Sequence, residues 1–354
     1  MNSASARIKT IDSIRERSLL PSSRREFFYD IPKGSGIYID MRVRKSAILI
    51  LLLLIVLLID PSRYFASVKN GILLFTASVL PSMLPYFFFT KLFTAVGGAE
   101  GIARSVGKPV AKAYGVAPIC GYALVMSLLS GYPVGARVLG DLYDKGLVGE
   151  EDVRRASSFA STSGSMFVLG SVGSAILGNV KAGWVILISH YLGALLNGFL
   201  HCVKKRKNAE KPLPPLLILK SDTLLSDAMY ESVLSLALVG GFIALTNLSA
   251  DIFTDLIGLF GTDVLARSNV VSGLVYSFFE VTRGCVVFSE CALPPCMTAA
   301  LAAAAISFGG LSVILQTLAF LGKAGVKSGR LLLMKGTQSI ITFGLCLGLG
   351  AVFL

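Results

Sequence analysis

The sequence predicts an all-α, polytopic helical membrane protein: two inverted repeats, each with a re-entrant hairpin and a broken helix, plus one extra amino-terminal span. Three observations carry this. The 354 residues are 54% hydrophobic and 15% charged, with a mean hydropathy of +0.72, too few charges to cover a water-soluble globule of this size. Four polar interruptions fall inside apolar stretches, two in each half: Ser130-Gly131-Tyr132-Pro133-Val134-Gly135, Ser161-Thr162-Ser163-Gly164-Ser165, Glu280-Val281-Thr282-Arg283-Gly284 and Phe308-Gly309-Gly310-Leu311-Ser312. Such pairing marks transporters built from inverted repeats. The basic residues also fall where that layout puts the cytoplasm.

In chain order, residues 1–45 are polar and basic and read as a disordered cytoplasmic extension. Met41-Arg42-Val43-Arg44-Lys45 before an apolar run has the form of a natural start, which makes residues 1–40 a candidate mis-set start. Residues 46–65 are expected to form an uncleaved first span, since no small-x-small site follows, with Tyr64 and Phe65 as interface anchors. The first repeat, 66–203, opens with a span over 68–96 that Pro81 and Pro85 should bend. Lys91 can snorkel near its end. A basic loop with Arg104, Lys108 and Lys112 leads to the apolar run 116–129, whose 14 residues fall short of the roughly 20 that a bilayer needs. The chain is therefore expected to turn back at Ser130–Gly135, with Pro133 as the first helical residue of a returning arm over 134–145.

Glu150-Glu151-Asp152 supplies acids at a helix start, and that helix should run to Gly178 with a break at Ser161–Ser165. A plain span over 182–202 closes the repeat. Residues 204–220, with Lys204-Lys205-Arg206-Lys207 and a Pro-rich stretch, read as a cytoplasmic linker. The second repeat, 221–354, repeats the order: a helix over 221–248 with Tyr230 and Glu231 near the interface, an acidic loop with Asp251, Asp255 and Asp263, a hairpin over 270–288, a helix over 292–321 broken at Gly309-Gly310, and a last span over 331–354.

With the amino terminus inside, the stretches before 46 and at 97–114, 136–155, 203–221 and 322–336 hold 27 of the 33 Lys and Arg, against Arg63, Lys69, Lys181 and Arg267 outside. The expected location is the cell membrane, multi-pass, with a cytoplasmic amino terminus and an external carboxyl terminus. The +12 charge is then a topological signal rather than a nucleic-acid footprint.

A break at membrane depth leaves helix ends with free N–H or carbonyl groups that suit a polar ligand. The candidate substrate-binding residues are Ser130, Gly131, Tyr132, Pro133 and Gly135 in the first hairpin, and Ser161, Ser163, Gly164 and Ser165 in the first break. In the second half they are Glu280, Thr282, Arg283 and Gly284, followed by Gly309, Gly310, Ser312 and Gln316. The competing account is that these small residues only let helices pack closely. Glu280 and Arg283, three apart, are either a mutual ion pair or functional charges, and the two roles are compatible. Arg137 and Asp141 read as structural, and His190 and His201 as packing residues. Six cysteines without a CxxC pair read as apolar filler, so no metal site is expected. Ser163-Gly164 with His190 imitates a serine–histidine dyad but lacks an oxyanion donor, and no His-Glu-x-x-His is present, so an enzyme is not expected. No cofactor is expected, with a proton or sodium ion left open as the coupling ion. The expected partners are a small-molecule solute and the lipid bilayer, with no nucleic acid; a homo-oligomer is left open.

Pro81-Ser-Met-Leu-Pro-Tyr-Phe, Ser130-Gly-Tyr-Pro-Val-Gly-Ala-Arg, Ser161-Thr-Ser-Gly-Ser-Met-Phe-Val, Glu280-Val-Thr-Arg-Gly and Phe308-Gly-Gly-Leu-Ser-Val-Ile-Leu-Gln together resemble the YlbJ-type sporulation integral membrane proteins, from about Lys45 to the carboxyl end. That group carries the nucleoside-recognition gate domain and is similar to concentrative nucleoside transporters in its paired re-entrant hairpins. The resemblance implies a role in endospore formation and the movement of a small metabolite, dipicolinate being the solute linked to that family. Ser161-Thr162-Ser163 stands where an Asn-rich break is the family expectation, which bears on the polar contacts to a solute. The function expected is transport of a small polar, anionic metabolite by alternating access; the alternative is a non-transporting scaffold or sensor in spore formation.

Overall fold

Helices follow the apolar runs, and the Gly, Pro and Ser residues between them set where each helix stops. The structure, a computed structural model, describes residues 41–202, 223–259 and 269–354. Among these every regular element is helical. The expected tail over 1–40, the linker over 204–220, Asp263 and Arg267 lie outside the described residues. The chain divides into two units, Met1–Ile59 and Asp60–Leu354. The first contributes helix α1 (Met41–Ile59).

The second unit begins at Asp60, earlier than the boundary at 66 that the apolar pattern suggests. Tyr64 and Phe65 do not end the first span; they lie in α2 (Pro61–Leu74), because Asp60 accepts the Arg63 N–H at 3.0 Å and Pro61 occupies the first turn. A π-helical turn over Phe75–Val79 joins α2 to α3 (Leu80–Ala95), just ahead of Pro81 and Pro85. Ser171 Oγ donates to the Ser78 carbonyl at 2.7 Å, and Ser82 Oγ turns back to the Val79 carbonyl at 3.0 Å. Serine hydroxyls thus occupy carbonyls beside the irregular turn.

The amphipathic α4 (Gly98–Tyr114) leads to a helical hairpin of α5 (Cys120–Ser130) and α6 (Val134–Asp144). The short α7 (Glu150–Ala156) carries three acids in its first turn. After a non-helical stretch over 157–164 comes the π-helical α8 (Phe167–Ile176), then α9 (Val180–His201). In the second half α10 (Leu224–Gly258) runs ten residues past the expected end at Leu248, so Asp251 and Asp255 stand on a helix and not in a loop. Both have partners that account for this: Asp255 binds Arg63 of α2, and Asp251 binds Arg283. The chain then forms a second hairpin, α11 (Val270–Phe279) and α12 (Val281–Glu290), followed by α13 (Pro295–Phe308), α14 (Gly310–Leu321) and α15 (Ser328–Phe353).

Long helices of the two halves pack on each other, α2 and α3 against α10 and α9 against α15. The alanine-rich α13 fills the space between α9 and α15; its Ala299, Ala300, Ala302 and Ala303 are fully buried. A side chain at Gly193 of α9 would collide with Thr342 of α15, and one at Gly71 of α2 would meet the Ala244 Cα of α10 at 2.8 Å. Close approach through small residues is how membrane helices gain contact. The hairpins cross over: α6 lies against α14, and α12 against α8. Among the described residues five helical stretches are long and apolar enough to cross a bilayer: Pro61–Ala95, Val180–His201, Leu224–Gly258, Pro295–Ala324 and Ser328–Phe353.

Candidate functional site: a cavity between two hairpin tips

The first hairpin turns because Gly131 takes φ +77°, a conformation that side chains other than glycine's resist. A Cβ there would lie 2.7 Å from the Gly164 Cα, so the tip rests backbone to backbone on the first break. Pro133 is the cap of α6 and not its first helical residue. Gly135 faces Ser127 and Ala160 and serves helix packing, so it lies behind the cavity wall rather than in it.

The break over 157–164 would strand backbone groups in an apolar interior, and side chains from three other helices take them up. Ser127 Oγ of α5 accepts the Thr162 N–H at 2.8 Å. His190 Nε2 of α9 accepts the Ser163 N–H at 2.8 Å, with its Nδ1 2.7 Å from Ser307 Oγ. Asn197 Nδ2 donates to the Ser158 carbonyl at 2.8 Å, and Lys335 Nζ of α15 donates to the Ser161 carbonyl at 2.7 Å. Ser161 Oγ is buried and has no hydrogen-bond partner among the described residues, and Ser165 Oγ donates to Tyr86 Oη at 2.9 Å.

In the second hairpin Glu280 is extended (φ −142°, ψ 119°) and caps α12: its carboxylate accepts the Arg283 N–H at 2.7 Å and the Thr282 hydroxyl at 3.0 Å. The mutual ion pair of Glu280 and Arg283, one of the two roles their spacing allows, does not form. The Arg283 guanidinium points to α10, where Nη1 is 2.7 Å from Asp251 Oδ1 and 2.8 Å from Asn247 Oδ1, and it lies 3.9 Å over the Tyr276 ring. The Glu280 oxygens are taken up by the first turn of α12, and Asp251 and Asn247 of α10 take the guanidinium instead. Gly284 lets the two arms touch, since a Cβ would lie 2.6 Å from the Ser277 Cα, and Gly310 rests on the carbonyls of Ser277 and Phe279. Each hairpin tip therefore sits on the break of its own half.

A cavity of about 60 Å³ lies between the two tips, room for roughly four or five waters. Tyr132, Ser163 and Gly164 line it from the first half, and Glu280, Thr282, Gly309, Ser312 and Gln316 from the second. Gln316 Nε2 donates to Ser312 Oγ at 3.1 Å. Apolar walls come from Val79 and Met83 on the bent span, Val239 and Ile243 on α10, Phe167 and Ile306. Ser130, Gly131, Pro133, Gly135, Ser161, Ser165, Arg283, Gly284 and Gly310 stand outside the lining and shape the elements that carry it.

Two residues here escaped the sequence pattern. Lys335, counted as a cytoplasmic loop cation, is 1% exposed inside α15, with Nζ donating to Tyr132 Oη at 2.8 Å and lying 4.3 Å over that ring. His190, assigned to packing, is fully buried and holds the break. The usable signal was a stripe: Lys335, Gln338, Thr342 and Cys346 recur at helical spacing within the last apolar run, and all are buried. The six cysteines are free, and among the described residues no group of His, Cys, Asp and Glu is placed to hold a metal.

Long apolar helices around a small, partly open cavity with polar groups from both halves define a multi-pass integral membrane protein. The chain is similar to the sporulation integral membrane protein YlbJ of Bacillus subtilis (strain 168): 26% identical over 311 residues, covering 75% of this chain and 72% of that protein. This breadth supports a YlbJ-type relationship. No family model and no solved structure matches the chain.

Proposed function

We propose that this protein is a transporter, not an enzyme, that carries a small polar, anionic solute across the membrane by alternating access. The observation that carries the reading is the cavity, whose polar lining comes from the hairpin tip and helix break of both halves. A site placed there opens to either side when one half rocks against the other. The order span, hairpin, broken helix, span occurs twice and supports a reading of inverted repeats with re-entrant hairpins, amino terminus in the cytoplasm and carboxyl terminus outside. The similarity to a sporulation membrane protein supports the membranes of a spore-forming cell as the place of action and suggests a dipicolinate-like dicarboxylate as the first solute to test.

Arg283 is not the counter-charge of this site, since Asp251 already holds it. The charge of Glu280 is met by the N-terminus of α12 and two donors. Uptake of radiolabelled dicarboxylates and nucleosides into proteoliposomes, with and without proton and sodium gradients, tests the reading. Saturable uptake of a dicarboxylate is expected. Uptake of no solute at all would move the weight to a scaffold or sensor in spore formation.

A further inference from the structure

Among the described residues four charged side chains are buried: Asp152, Arg155, Glu280 and Lys335. Asp152 caps backbone at Ala117 and Gly149, Arg155 binds Glu151 at 2.8 Å, and Glu280 caps α12. Lys335 differs. Its two oxygen partners, Tyr132 Oη and the Ser161 carbonyl, are both neutral, and its remaining contact is the face of the Tyr132 ring. An ammonium has three donors and a full charge, and neutral acceptors leave that charge uncompensated in a low-dielectric interior. Tyr132 also lines the cavity, so one side chain stands between this cation and the solute space.

We propose that Lys335 is the residue that selects the solute: a small carboxylate in the cavity displaces Tyr132 Oη and takes the Lys335 ammonium as its counter-charge. The inference rests on the transport reading and deepens it, naming the group that reads the anionic solute. Geometry favours this wall of the cavity over the opposite one, where the Glu280 carboxylate repels an anion. It also gives Tyr132 a definite part. The phenol holds the ammonium while the cavity lacks an anion and yields it when one arrives.

The experiment uses the full-length protein in proteoliposomes and two probes of nearly equal shape, pyridine-2,6-dicarboxylate and its neutral dicarboxamide, measuring Kd by equilibrium binding and KM and kcat by uptake. Lys335→Gln keeps a donor for Tyr132 and Ser161 but removes the charge. It should weaken dicarboxylate binding roughly 30-fold or more, as loss of one member of a desolvated pair does, and leave dicarboxamide affinity unchanged. Lys335→Arg should recover part of the dicarboxylate affinity. Tyr132→Phe removes the competing acceptor and should tighten dicarboxylate binding, an arm that decides the matter where Lys335→Gln does not fold. Unchanged dicarboxylate affinity in a folded Lys335→Gln overturns the proposal, even if gradient dependence is lost, and so does weaker binding in Tyr132→Phe. A wild-type protein that binds neither probe but takes up a nucleoside overturns the carboxylate proposal alone, whereas uptake of no solute at all in the wider screen refutes the transport reading, an outcome distinct from both.

Discussion

Arg283 and Glu280 make separate contributions, and substitution can tell them apart. In Asp251→Asn the guanidinium keeps Asn247 and the Tyr276 face but loses the carboxylate at 2.7 Å. Breaking a fully buried pair costs ~3–5 kcal/mol. Here the two side chains are 24% and 19% exposed, so solvent screening lowers the expected loss to about 2 kcal/mol. At roughly 2–4 °C per kcal/mol, the apparent melting temperature in detergent at a fixed heating rate should fall by about 4–8 °C. Glu280→Gln leaves that pair intact and weakens only a helix cap, about 1 kcal/mol. Double-mutant cycles with Arg283→Gln sharpen the contrast. The 251/283 cycle should give a coupling of about 1–2 kcal/mol, and the 280/283 cycle less than about 0.5 kcal/mol, because Glu280 bonds the backbone N–H of residue 283, which the side-chain change leaves in place. A larger coupling at 280/283 than at 251/283, or rescue of Glu280→Gln by Arg283→Gln, would refute this division of roles.

Glycine substitutions should separate by position: Gly131→Ala puts a Cβ on Gly164 at positive φ and should abolish folded protein in size-exclusion profiles, whereas Gly241→Ala, with open space around it, should be neutral or slightly stabilising. Gly135→Leu should fail to fold rather than insert and block transport, since it drives a side chain into Ala160 and Ser127. Ser127→Ala strands the buried Thr162 N–H and should cost about 1–3 kcal/mol in thermal stability; no loss would remove Ser127 as the partner of the break. For orientation, cysteines at positions 205 and 255 in a background without accessible native cysteines should label with a membrane-impermeant reagent in intact cells only at 255, and labelling at 205 instead would invert the topology.

Element order was legible because apolar run length and Gly, Pro or Ser punctuation are local properties. Partner choice was not. Asp251 looked like loop because the helix was ended at Leu248, and only the tertiary contact with Arg283 and the packing of α10 on α2 explain its continuation. The hairpin residues were recognised as a group, but the sequence could not divide those that line the cavity, such as Tyr132, Ser163 and Thr282, from those that shape its walls, such as Gly131 and Gly284. That division depends on which face of a turn meets the other half. Lys335 was hardest: a lysine just inside a span reads as an interface cation, and nothing nearby in sequence names Tyr132 as its partner.

The bond from Lys335 to the Ser161 carbonyl joins positions 174 residues apart. At roughly 5–20 residues per second, a ribosome takes about 10–35 s to cover that distance. During synthesis, then, the break between α7 and α8 enters the translocation machinery with part of its main chain unsealed, and its closing donor is still unmade. Water, lipid headgroups or an insertase must shelter that carbonyl until α15 arrives. Chains released before α15 should thus be recognised as faulty through damage displayed in their first half, far from the missing end.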